Sequence, residues 1–76
     1  MSRSAPRSSA PDPTFARAEI SVIAELVERQ RQQVAAIAEP FLGTDREDLA
    51  IVIHEAERSL LIAVRSLHRA VKTLDR

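Results

Sequence analysis

The stretch AIAEPFLGTDRED, residues 36–48, decides the fold, because it stops one helix and starts another within a few residues. Pro40 lacks a backbone N–H and restricts the residue before it, so a helix arriving from the N-terminal side ends or kinks near Ala38–Glu39. Phe41, Leu42 and Gly43 are left as a link, in which Gly43 is free to take a left-handed backbone conformation. Thr44 followed three residues later by Glu47 reads as a capping box. Asp45, Glu47 and Asp48 add negative charge at the positive end of the next helix.

Upstream of this link, Ala16, Ile20, Ile23, Val27, Gln30, Val34, Ile37 and Phe41 recur at alternating spacings of four and three. That is a heptad seam with one polar member, Gln30, whose expected role is to set register or oligomeric state opposite the small Ala56. Downstream the seam runs Leu49, Ile53, Ala56, Leu60, Ala63, Leu67, Ala70 and Leu74, alternating large residues with alanine so that two helices can approach closely. Proline is well suited to a first helical turn, so Pro13 or Thr14 opens the first helix. The spacing predicts a helix over about 14–39, a link over 40–43 and a second helix over about 44–74, each roughly 40 Å long. Matched lengths and a short link make the helices antiparallel neighbours. The expected architecture is all-α, an antiparallel two-helix hairpin.

Charge order supports the same arrangement. Both helices are acidic early (Glu19, Glu25 and Glu28; Glu55 and Glu57) and basic later (Arg29 and Arg31; Arg58, Arg65, Arg69, Lys72 and Arg76). Folding back sets each acidic half beside a basic half. Pairing the seams brings Ile20 near Leu67, Val27 near Leu60 and Val34 near Ile53, with Glu28 near Arg58 and Arg31 near Glu55 or Glu57.

Residues 1–13, MSRSAPRSSAPDP, are rich in proline and serine and have almost nothing to bury, so they read as a disordered arm. Its Arg3 and Arg7 are solubilising residues able to touch a phosphate or an acidic partner. The chain has no cysteine, which removes thiolate catalysis and cysteine-held metals. Eleven basic residues balance eleven acidic ones, and Trp and Tyr are absent, so nucleic acid is not an expected partner. No apolar run approaches the roughly 20 residues that span a bilayer, and Met1-Ser2-Arg3-Ser4 lacks the apolar segment of a secretory signal. A cytoplasmic protein without cofactor or metal is expected.

The hairpin has more apolar surface than one seam consumes. Leu60, Leu61, Ile62, Ala63 and Val64 are apolar all round the second helix, with Val52 and Val71 beside the seam and Val22 and Leu26 beside it on the first helix. Val52, Leu60, Leu61, Ile62, Val64, Val71, Val22 and Leu26 are therefore the expected interface. A second copy, completing a four-helix bundle, is the expected partner, and a larger helical partner to which the chain is an accessory subunit is the alternative.

Two local patterns carry family resemblances. Ile53-His54-Glu55 followed by Arg58-Ser59-Leu60 resembles the phospho-acceptor box of histidine kinase dimerisation domains, which implies His54 as phosphoryl acceptor and the adjacent acid as its aid. The box here lacks the following proline and lies in the second helix instead of the first. Glu25-Leu26-Val27-Glu28-Arg29-Gln30-Arg31, with Pro40 and Asp45-Arg46-Glu47, resembles helical chorismate mutases, which implies arginines holding a dianionic substrate inside a bundle. The late first-helix lysine and the third helix of that family are missing. No Glu-x-x-His pair of the di-iron type occurs, and His54 and His68 are some 21 Å apart by helical rise.

Overall fold

The computed structural model describes residues 9–76, so the arm expected over 1–13 lies outside it as far as residue 8. Residues 9–12 have no regular structure. Helix α1 runs Pro13–Ala38, a 3₁₀ turn Glu39–Phe41, and helix α2 Glu47–Leu74. Pro13 takes the first helical position, where a missing N–H costs nothing. The cap is Asp12, whose carboxylate accepts from the Thr14 N–H at 2.9 Å and from its hydroxyl at 2.8 Å. That carboxyl is held below its ordinary range by those bonds, the backbone one first.

Pro40 acts as the sequence implies: α1 stops at Ala38 and tightens into the 3₁₀ turn, with Leu42 N–H donating to the Glu39 carbonyl at 3.1 Å. Gly43 follows at φ +74°, a backbone conformation that an L side chain would strain. The capping box does not form. The Thr44 hydroxyl donates to the Phe41 carbonyl at 2.7 Å and accepts from Arg46 N–H at 3.1 Å, while Glu47 N–H turns back to the Thr44 carbonyl at 3.2 Å. The hydroxyl is consumed in the link, so α2 begins at Glu47, later than the expected 44.

Among the described residues, two ion pairs cross between the helices. Arg31 Nη1 donates to Glu57 Oε2 at 2.6 Å, the contact expected from charge order. Glu28 does not reach Arg58; it accepts from Arg31 and Gln32 on its own helix. At the open end Arg17 pairs with Asp75, tying the start of α1 to the end of α2. Counting one heptad either way from the Arg31–Glu57 layer puts Ala24 level with Val64, and Ala38 level with Ala50. Among the described residues those four are the buried ones, at 1, 4, 0 and 0 % exposure respectively. The hairpin is thus three layers a heptad apart: small residues at both ends, an ion pair in the middle.

Here the structure corrects the seam. The rows Ile20, Val27, Val34 and Ile53, Leu60, Leu67 are half-buried as expected, but the second row on each helix is displaced by one residue. Ala24, Arg31 and Ala38 face Ala50, Glu57 and Val64, whereas Ile23, Gln30, Ile37, Ala56 and Ala63 are exposed. Both flanks of the first row are apolar enough to satisfy a heptad pattern, so periodicity cannot choose between them. Close approach chooses. Alanines at two layers let the backbones come near enough for Arg31 to reach Glu57, while isoleucines there would hold the helices apart.

Candidate interaction surface

The displaced rows gather on one side. Both helices are right-handed and run in opposite directions, so stepping one residue back from the contact row turns towards the same face of the hairpin on each. That face carries Ile23, Leu26, Gln30 and Ile37 from α1 and Val52, Ala56 and Ala63 from α2, all exposed. The half-buried Ile20, Val27, Val34, Ile53, Leu60 and Leu67 form the valley between them. The a/d heptad pattern is real, but it describes this open face, not the contact inside the hairpin.

The opposite face is mostly polar, although Ile51 is exposed on it. Glu28, Arg31, Glu57 and His54 form a chain of hydrogen bonds, with His54 Nδ1 3.1 Å from Glu57 Oε1 and Arg31 Nη2 2.8 Å from Glu28 Oε2. The Arg31 hydrogen bonds, followed by that of Gln32, hold the Glu28 carboxyl at about 2, well below an ordinary glutamate. Glu57 is also lowered, first by the hydrogen bond to His54 and then by Arg31. Both groups lose protons more readily folded than unfolded, so their contribution to stability is present above the ordinary glutamate range and is lost as the pH falls, for Glu28 towards about 2. The thermal midpoint followed by circular dichroism is expected to drop across that window. Glu28→Gln is expected to flatten the drop; an unchanged pH profile in that variant would remove Glu28 from the account.

The interface residues expected from sequence divide. Val22, Leu26, Val52 and Ile62 are exposed, and Leu60, Leu61 and Val71 half-buried. Val64 is a correction: at 4 % exposure it belongs to the hairpin's own core and offers nothing to a partner. Ile62 faces away from the apolar face, in a shallow groove along α2 with His54, Glu57, Arg58, Leu61 and Arg65. The all-round apolar stretch therefore serves several sides at once: core at Val64, valley at Leu60, outer groove at Leu61 and Ile62.

Gln30 does not lie between α1 and α2; it is exposed on the apolar face, and Ala56 is exposed with it. The polar residue that fixes pairing inside the hairpin is its neighbour, Arg31. Charge order anticipates the Arg31–Glu57 contact; what it does not show is that Arg31 lies in the contact row itself, a heptad from both Ala24 and Ala38. His54 is exposed and bonds Glu57, one turn on, instead of the adjacent Glu55. Arg31 is already engaged by two carboxylates and is not a free anion holder of the chorismate mutase kind. Among the described residues no group of three or more His, Asp or Glu is placed to hold a metal ion, and no helix is long and apolar enough to cross a membrane.

Compared with known proteins, the chain matches no family model, no curated protein and no solved structure.

Proposed function

We propose that this chain is a small helical protein–protein interaction module, a scaffold, adaptor or regulatory element, that acts by associating with a second copy through its apolar face. The observation that carries this reading is the composition of the core. Among the described residues the buried set is three alanines and one valine, while Ile23, Leu26, Ile37 and Val52 are 44–61 % exposed on one face. At about 25 cal/mol per Å² that leaves several kcal/mol of unrealised burial on a chain whose own core is minimal. A four-helix bundle of two hairpins covers the face with the geometry such helices favour, and two-fold pairing is the commonest closure. A cytoplasmic setting accords with the lack of cysteine.

Light scattering on the full chain tests this. The expected result is a helical species of twice 8.4 kDa, with a thermal midpoint that rises with concentration. A folded, helical species of 8.4 kDa would overturn it. So would an unfolded monomer that becomes helical only on adding a different protein.

A further inference from the structure

The proposed bundle can close in two ways, and the two edges of the apolar face distinguish them. The following rests on the self-association reading. A two-fold axis parallel to the helices sets α1 of one copy against α2 of the other, with both links at the same end. A two-fold axis across the helices sets α1 against α1 and α2 against α2, with the links at opposite ends.

The edges differ in size. On α1 the exposed edge is Ile23, Leu26, Gln30 and Ile37, all long side chains. On α2 it is Val52, Ser59, Ala63 and Ser66, all short. Rotation about an axis parallel to the helices preserves height, so the register of the hairpin also sets the register between copies. From the Arg31–Glu57 layer, residues whose numbers sum to about 88 lie level. Ile23 then falls against the partner copy's small residue at Ser66, Leu26 against Ala63, Gln30 against Ser59 and Ile37 against Val52. Every long residue meets a short one.

The crossed arrangement would instead set isoleucine and leucine against themselves on one side and serine and alanine against themselves on the other. Interaxial distance follows side-chain size, so that bundle would be wedged open at one edge.

The face is about 40 Å by 20 Å, roughly 800 Å² per copy, which matches the burial of a standard stable interface. We infer that the second copy docks with its two-fold axis parallel to the helices, α1 on the partner's α2, so that both links emerge at one end of the bundle.

A single nitroxide label at Asp45→Cys in the link of each chain reads this directly, because the chain has no other cysteine. Dipolar spectroscopy is expected to give a label separation of about 20–30 Å, set by neighbouring helix ends. A separation of about 40 Å or more, the length of the bundle, would overturn the arrangement while leaving self-association intact. Light scattering on the same labelled sample shows whether a dimer is present; a monomer overturns both. As a second reading, Gln30→Cys chains mixed with Ser59→Cys chains are expected to form the mixed disulfide several-fold more than either forms with itself, and the reverse preference would count against the arrangement.

Discussion

A chain carrying Leu26→Asp and Ile37→Asp is expected to run as a monomer and to lose most of its helical signal at concentrations where the parent is folded. Each side chain is about half exposed in the isolated hairpin, at 48 and 57 %. Covering the remaining apolar area contributes about 2 kcal/mol per side chain. Two positions in two copies come to roughly 8 kcal/mol, a factor of about 10⁵–10⁶ in dissociation constant, before the cost of burying four carboxylates. Helicity follows association because the hairpin's own core is three alanines and a valine. Helices of 26 and 28 residues are long, but most helical stability in proteins comes from packing an amphipathic face. Light scattering and circular dichroism at matched concentration check this. Ala18→Asp, on the outer side of α1, is the control and is expected to leave mass and helicity unchanged. A double variant that stays dimeric and helical would show that this face is not where the copies meet.

The second large effect is expected inside the hairpin. Ala50 is fully buried and level with Ala38, equally buried, so that layer has no room for a longer side chain. Ala50→Leu forces the backbones apart at that layer, an overpacking that costs about 1–3 kcal/mol. In a domain of this size that is a fall of roughly 5–20 °C in thermal midpoint. The same movement draws Arg31 from Glu57, one heptad away, so the part of the acid dependence of stability that comes from Glu57 should weaken as well. A leucine at position 50 that leaves both quantities unchanged would mean that the helices do not approach closely there.

These two variants separate the features that the heptad pattern confuses. From Ile20, Val27 and Val34 alone, the neighbouring row could be Ile23, Gln30 and Ile37 or Ala24, Arg31 and Ala38. Hydropathy favours the first, since isoleucine is worth more buried than alanine. The structure takes the second for the intrachain contact because two bulky rows cannot meet at the distance the Arg31–Glu57 bond demands. The larger row is left on the open face. The apolar excess was legible from composition; its address was not. Val64 and Ile62 are two residues apart in one apolar run, yet one is core and the other faces away from the apolar face altogether. Thr44 is a similar case. Its spacing to Glu47 satisfies a capping box, but its hydroxyl is taken by Phe41 and Arg46 in the link.

By itself the sequence determined where the helices stop, which way they run and that their surface outweighs their seam. Pro40, Gly43 and the order of charges act over a few residues or along whole helices, and such local and summed effects can be read without coordinates. Only the tertiary structure decided which way each helix is turned about its axis. That choice depends on how closely two backbones can approach, a property of both helices at once. It moved the polar contact from Gln30 to Arg31 and placed the isoleucines on the open side of the hairpin.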